Sequence, residues 1–135
     1  MSMDSQTIVA PMTPSGVSAV AALRVSGPKV REVVRALFGE KRAAALEPRM
    51  ANLGSARDPQ SGKLIDSLLY IFFEGPNSYT GEDVLELYPH GNPIIVRELI
   101  QVIKSVDGVR LAEPGEYTRR AFLNAMPRRE VAHMY

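Results

Sequence analysis

Apolar and polar residues recur along this chain in patterns that predict a mixture of short strands and helices. Alternating or β-branched apolar runs between turn formers predict six strands, at 7–10, 19–25, 50–53, 67–73, 84–88 and 109–112. Apolar side chains at helical spacing, or a preceding Pro in the first turn, predict three helices, at about 28–39, 93–105 and 116–124. Segment 41–48 is predicted to be a charged, alanine-rich connection, and 56–62 a polar surface turn.

The order of these elements bears on the fold class. Strands and helices are mixed without a regular strand–helix–strand rhythm, which favours an α+β fold with a mixed β-sheet over a doubly wound sheet. With 135 residues, the chain suits one domain. We therefore expect one mixed sheet with about three helices.

Composition excludes several classes of protein. The net charge of +1 gives no electrostatic indication of a nucleic-acid-binding protein. Without cysteine, the chain has no disulfide, cysteine nucleophile or thiolate metal site. No apolar run approaches the roughly 20 residues that span a bilayer, and the N-terminus lacks the basic region of a signal peptide. A cytoplasmic location is the expectation.

Segment 73–87 is the most informative part of the chain. Gly75, Pro76, Asn77 and Ser78 are strong turn formers between two predicted strands. The carboxylates of Glu82, Asp83 and Glu86 follow directly. Such a loop is either a solvated hairpin connection or a binding site presented by a rigid scaffold. Composition alone favours the first interpretation.

The residues of this segment also carry a resemblance. FEGPNSYTGEDVLEL at 73–87 resembles the FPGPNSFTGEDVLEL signature of the MnmE (TrmE) family of tRNA-modification GTPases. Four further motifs lie along the chain in the same order as in the family. They are TIVA with TP (7–14), LRVSG (23–27), HGNP (90–93) and EPGEYTRRAFLN (113–124). The resemblance covers roughly residues 6–124, nearly the whole chain.

The resemblance implies a fold, a ligand and partners. It implies a domain, residues 1–124, that resembles the tetrahydrofolate-binding domains of one-carbon enzymes, binds 5-formyltetrahydrofolate or a related tetrahydrofolate, and forms a homodimer. The parent enzyme would modify carbon 5 of a tRNA wobble uridine with a flavoprotein of the MnmG (GidA) type. No G-x-x-x-x-G-K-[ST] motif is present. GTP hydrolysis is therefore not expected of this chain, which suggests a fragment or a truncated gene product.

Two folate-associated positions of the family match residues here. The arginine of LRISG corresponds to Arg24 and the glutamate of VLEL to Glu86, whereas the third position, a lysine, corresponds to Met126. A carboxylate at Glu86 can accept both parallel donors of a pterin edge, and Tyr88 on the same strand face can pack against a flat ring. The planar fork of Arg24 suits a carbonyl or carboxylate oxygen. Alternatively, Arg24 and Glu86 form an ion pair or lie on the surface.

The departures from the family pattern motivate a second hypothesis. Met126 replaces the lysine, the glycine-rich turn reads Gly16-Val17-Ser18-Ala19, and Pro127 would interrupt a continuing helix. Residues 125–135 are thus predicted to be a diverged tail. The alternative function is a dimerisation module that has lost folate binding.

Three further predictions concern other polar residues. His90 is interpreted as a loop histidine bonded to backbone, and the pair Arg119-Arg120 as a solvated helix face rather than a tRNA contact. No metal site is predicted, because two histidines without thiols form no ligand cluster. No catalytic residue is predicted.

Overall fold

The computed structural model describes residues 6–13 and 19–125. The elements within those ranges are, in chain order, β1 (Thr7–Pro11), β2 (Leu23–Ser26), α1 (Val30–Phe38), α2 (Glu40–Ala44), β3 (Ala51–Arg57), β4 (Leu64–Phe73), β5 (Val84–Tyr88), α3 (Pro93–Lys104), β6 (Val109–Leu111) and α4 (Glu116–Ala125). The α+β class predicted from the sequence is confirmed.

Among the described residues, the strands form one mixed six-stranded sheet in the order β3-β4-β5-β2-β1-β6. All neighbouring strands are antiparallel except β1 and β6, which run parallel with Ile8 opposite Arg110. The centre of the sheet is β5 beside β2, where Arg24 lies opposite Glu86 and Val25 opposite Leu85. Strands that are distant in sequence therefore meet at the middle of the sheet.

One face of the sheet, the inner face, carries the hydrophobic core beneath α1 and α3. Its fully buried strand residues include Leu23, Val25, Leu85 and Leu87. Because strand side chains alternate between faces, these residues all point to one side. The helices contribute Val30, Val33, Val34 and Leu37 from α1 and Leu99, Val102 and Ile103 from α3.

The sequence explains where α3 begins. The side chain of Asn92 accepts a hydrogen bond from the N–H of Ile94 at 2.8 Å, which satisfies one free donor of the first turn. Pro93 follows in the first turn, where a missing N–H costs nothing. The predicted start of the helix at Asn92-Pro93 is therefore correct.

The opposite face, the outer face, is covered unevenly. Over β1, β2 and β5 lie α4 and the 74–83 loop, so that Ile8, Ser26 and Val84 are buried. Over β3 and β4 no described element lies, and Leu53 and Leu69, which pair across the two strands, remain 64% and 47% exposed. This half of the outer face is thus open and carries an exposed leucine pair.

The sequence predictions need corrections at a few places. Segment 41–48 was expected to be a connection, but α2 occupies much of it, giving four helices instead of three among the described residues. This five-residue helix is too short to be stable alone; Arg31 donates to its Ala43 carbonyl at 2.7 Å and Arg42 to the Leu53 carbonyl at 3.1 Å.

Strand lengths also differ from the prediction. Segment 19–25 was expected to be regular, but β2 starts only at Leu23, and Val20 forms an isolated bridge with His90. Pairing between β3 and β4 extends β3 to Arg57, inside the predicted 56–62 turn. It also starts β4 at Leu64, before the predicted start at Ser67. The turn at Gly16 and the position of Met126 lie outside the described residues.

Candidate functional site

The predicted residues Arg24 and Glu86 lie together on the outer face. They are direct cross-strand partners of β2 and β5, and the Arg24 Nη2 donates to Glu86 Oε2 at 3.3 Å. Their side chains are only 17% and 14% exposed. The ion pair that the sequence left as an alternative is therefore present, in a largely desolvated setting where charged hydrogen bonds strengthen.

Tyr88 joins this pair from the same strand. Its O–H donates to Glu86 Oε1, so both oxygens of the carboxylate are engaged. Burial and this hydrogen bond raise the pKa of Tyr88 to about 12, which keeps the phenol protonated at neutral pH. All three predicted ligand residues thus form one connected cluster.

Two further tyrosines flank the guanidinium of Arg24. Its Cζ lies 4.6 Å from the ring centroid of Tyr79, on the 74–83 loop, and 5.5 Å from that of Tyr117, on α4. Both distances fall within the range of cation–π attraction. The Tyr117 O–H also donates to the backbone carbonyl of Arg24, and burial raises the pKa of this phenol.

The Arg24 Nε is the exception in this otherwise satisfied cluster. It is buried and has no hydrogen-bond partner among the residues that the structure describes. A buried donor without an acceptor carries an uncompensated desolvation cost and calls for an explanation. A ligand acceptor is one such explanation.

The 74–83 loop is fixed to the sheet and to α4. Thr80 is fully buried, and its hydroxyl lies 2.7 Å from the Ser26 Oγ. The amide of Asn124 donates to the Thr80 carbonyl at 2.8 Å. Gly81 has a φ of +81°, and a Cβ there would approach the Asn124 Cβ to 2.8 Å, so this turn requires glycine. The end of the loop around Thr80 is therefore packed against the fold, while most of 74–79 is exposed.

Glu116 is the centre of a buried ion-pair network beside this site. Its carboxylate, on a residue only 1% exposed, accepts from Arg110 at 2.8 and 2.6 Å and from Arg120 at 3.1 Å. The hydrogen bonds from Arg110 hold the pKa of this carboxyl at about 2. Arg120 also donates to Glu82 at 3.1 Å. Arg120 therefore lies in the interior and does not belong to a solvated face as predicted, whereas Arg119 is half exposed.

His90 lies apart from this cluster. Its backbone N–H and its Nδ1 both contact the carboxylate of Asp66 at 2.9 Å, and its side chain is 71% exposed. The predicted bond from the histidine ring to backbone is wrong, because the ring contacts the carboxylate of Asp66 instead. Within residues 6–13 and 19–125, no three acidic or histidine side chains are grouped to hold a metal ion. None of the helices in those ranges is long and apolar enough to cross a membrane.

Sequence reasoning did not identify Tyr79, Tyr117 or Glu116 as site residues. All three lie inside the motifs that were recognised, at 73–87 and 113–124. Their approach to Arg24 depends on how α4 crosses the sheet, which no local pattern encodes. The available signal was the concentration of tyrosine and charge in two separated motifs.

Comparison with known proteins identifies a matching family and its relatives. Residues 7–126 match the model of the family described as GTP-binding protein TrmE N-terminus. The tRNA modification GTPase MnmE of Actinobacillus succinogenes is 46% identical over 119 residues, which is 88% of this chain and 25% of that protein. The MnmE of Histophilus somni is 45% identical over 122 residues, 90% of this chain and 26% of that protein.

The chain thus spans about a quarter of the length of these relatives. The match covers all described elements, from β1 to α4, and includes Arg24, Glu86, Tyr88, Tyr79 and Tyr117. This chain belongs to the family of the TrmE (MnmE) N-terminal domain.

Proposed function

We propose that this chain is the folate-binding and dimerisation domain of a tRNA-modification GTPase of the MnmE type. Its ligand is 5-formyltetrahydrofolate or a related tetrahydrofolate, held by Arg24, Glu86 and Tyr88. One observation carries the proposal. A desolvated Arg24–Glu86 pair, with an unpartnered Arg24 Nε among the described residues, lies among tyrosine rings on a half-open sheet face.

The chemistry of a pterin fits this cluster. Its ring amide N–H and exocyclic amine are two parallel donors, and a carboxylate can accept both in a charge-assisted bidentate contact. In the free protein, Tyr88 occupies one Glu86 oxygen and Arg24 the other. Binding therefore exchanges the Tyr88 O–H for a pterin donor, and the released tyrosine ring packs on the flat ligand.

The open half of the outer face supports dimerisation. Leu53 and Leu69 are exposed and adjacent, and Ile71 is half buried beside Leu69 on β4. Contiguous exposed apolar side chains on a sheet mark interaction surfaces. A second copy of this chain is the proposed occupant, because a two-fold dimer pairs one such patch with itself.

The activity of the parent protein belongs to the same proposal. The relatives are named tRNA modification GTPase, and this chain has no P-loop. The domain would act on a tRNA wobble uridine only within a longer protein that carries the GTPase, together with an MnmG (GidA)-type flavoprotein. A cytoplasmic location accompanies this role.

Glu86→Gln is the direct test of the ligand site. The substitution keeps the size of the side chain but places an NH₂ where an acceptor is needed, which should cost about 2–4 kcal/mol of binding. This equals roughly 30-fold to 1,000-fold in the Kd of 5-formyltetrahydrofolate, measured by calorimetry. Glu74→Gln, a carboxylate at the start of the neighbouring loop, is the matched control and should bind like the parent. Equal folate affinity of Glu86→Gln and of the unsubstituted chain would show that Glu86 does not belong to the site.

The alternative, a dimerisation module without ligand, has its own supporting observation. Glu86, Arg24 and Tyr88 already satisfy one another except at the Arg24 Nε. No heat and no thermal shift with millimolar 5-formyltetrahydrofolate would favour this alternative over folate binding.

Leu69→Asp tests the dimer surface independently of the ligand. A charge in the middle of a buried apolar contact is strongly unfavourable, so this variant should sediment as a monomer where the parent is a dimer. Ile94→Asp, at a 55% exposed position on α3, is the control and should remain dimeric. A dimeric Leu69→Asp would exclude this face as the interface.

A further inference from the structure

We propose that Glu116 is a positioning residue of the ligand site, which it reaches through Tyr117 and Arg120. The inference rests on the proposed function only for the identity of the ligand. The orientation of the Arg24 guanidinium is what Glu116 is inferred to set, and that orientation can be measured without ligand.

The first step is the anchoring of α4. Glu116 lies in the first turn of this helix, and its carboxylate receives two hydrogen bonds from Arg110 of β6. It also accepts from the backbone N–H of Glu113 at 2.9 Å, as a glutamate does when it caps the first turn of its own helix. The start of α4 is therefore fixed both to the sheet and to the preceding chain.

The second step leads from this anchor to Arg24. Tyr117 is the next residue, and it both donates its O–H to the Arg24 carbonyl and places its ring beside the Arg24 guanidinium. Because the anchor and the contact are adjacent in the chain, a shift of the first turn moves the Tyr117 ring by a similar distance. Arg24 would then lose one of its two flanking rings.

The third step leads to the other ring. Arg120, one turn further along α4, contacts Glu116 at 3.1 Å and Glu82 at 3.1 Å, and is only 7% exposed. Glu82 in turn accepts from the Ser26 Oγ at 2.8 Å. Glu82 belongs to the same loop as Tyr79, whose O–H lies 3.0 Å from the Thr118 Oγ1 of α4. Both rings that flank Arg24 are thus carried by elements that Glu116 holds in register.

A purely structural role for Glu116 predicts something different. A buried carboxylate with several donors stabilises the fold, and its removal would lower the melting temperature without altering how the folded site binds. A positioning role predicts, in addition, a changed environment of Arg24 in the folded protein. It also predicts that the effect on binding depends on Tyr117.

The experiment combines NMR with a double-mutant cycle on the full chain. The Arg24 Nε–Hε signal is identified by its loss in Arg24→Lys. We expect the neighbouring rings to shift it and burial of the atom to slow its exchange. In Glu116→Gln this signal should move toward that of exposed arginines, while Glu113→Gln, an exposed carboxylate three residues earlier, leaves it unchanged. An unmoved signal in folded Glu116→Gln overturns the proposal.

Binding of 5-formyltetrahydrofolate provides the second readout. Glu116→Gln should raise the Kd about tenfold, or about 1.4 kcal/mol, in the otherwise unchanged chain, and by less than about threefold in a Tyr117→Leu background, because neighbours that act together are non-additive. Equal factors in both backgrounds would overturn the route through Tyr117. The two proposals can also fail separately. If the Arg24 signal moves in Glu116→Gln but the unsubstituted chain binds no folate, the proposed function is refuted and the positioning role is supported.

Arg110→Lys covers the case in which Glu116→Gln does not fold. Lysine keeps the positive charge but loses the two-pronged contact with the carboxylate. The Arg24 signal should move in the same direction as expected for Glu116→Gln. A folded Arg110→Lys with an unmoved Arg24 signal counts against the proposal.

Discussion

The two faces of the sheet are stabilised by different kinds of contact. The inner face is an apolar core in which strand and helix side chains are excluded from water. The outer face is held at one half by ion pairs and hydroxyl bonds under α4, and is open at the other half. Apolar packing tolerates no polar ligand, whereas the outer face keeps charge and aromatic rings within reach of one.

The inner face of the sheet therefore provides most of the stability, and the outer face carries the candidate site. β2 and β5 contribute to both, since Val25 and Leu85 point inward while Arg24 and Glu86 point outward. The period of two along a strand makes this possible. A rigid core therefore holds the outer pair in place from behind.

Leu85→Ala should produce the largest loss of stability, because it removes a fully buried side chain from the inner face. Cavity formation together with lost burial should cost about 4 kcal/mol of unfolding free energy, measured by urea denaturation. The same change at Leu111, which is 47% exposed, should cost about 0.5 kcal/mol or less. Similar losses for both variants would contradict the burial of Leu85 in the core.

Acid should weaken the outer face through Glu116. Its pKa is lowered from 4.5 to about 2, so the stabilisation is present above pH 4.5 and is lost as the pH falls toward 2. Between about pH 6 and about pH 2.5 this loss should be on the order of 2–3 kcal/mol. Denaturation curves should therefore show a steeper pH dependence for the parent than for Glu116→Gln. Parallel pH profiles of the two proteins would argue against a charged Glu116 in the network.

Alkali should have a smaller effect through Tyr88. Its pKa is raised from 10 to about 12, so the folded protein keeps a proton that the unfolded chain has lost, and stability falls as the pH rises from about 10 to about 12. Because Tyr88 is partly exposed, the change should be on the order of 1 kcal/mol. Absorbance at alkaline pH should show one late-titrating tyrosine fewer in Tyr88→Phe. An unchanged titration would contradict a hydrogen bond between Tyr88 and Glu86 that raises the pKa of this phenol.

The inner face was largely predictable from the sequence, because its signals are local. The alternation in 84–88 predicted β5 with the bounds that the structure has, and the Asn92-Pro93 start predicted α3. The apolar stripe of α1 was likewise evident from its spacing. Periodicity reports which side of an element is buried, and that suffices where one side meets a core.

The outer face was predictable only in part. The resemblance identified Arg24 and Glu86, strand alternation added Tyr88, and the structure brings the three into contact. The contacts of Tyr117 with Arg24 and of Arg120 with Glu82 join residues far apart in the chain. Such pairs depend on the crossing of α4 over the sheet, and charge in a motif does not distinguish a buried network from a solvated helix face.

The parallel pairing of β1 with β6 has a consequence for folding during synthesis on the ribosome. β1 cannot gain its second neighbour until Leu111 has left the exit tunnel, and at roughly 5–20 residues per second that delay lasts several seconds. During this time the newly made β1 has an unpaired edge, which is a template for association with other chains. β6 is the last strand to pair, so completion of the sheet is a slow, non-local step. We expect the rate of synthesis and the access of chaperones to govern the yield of folded chain.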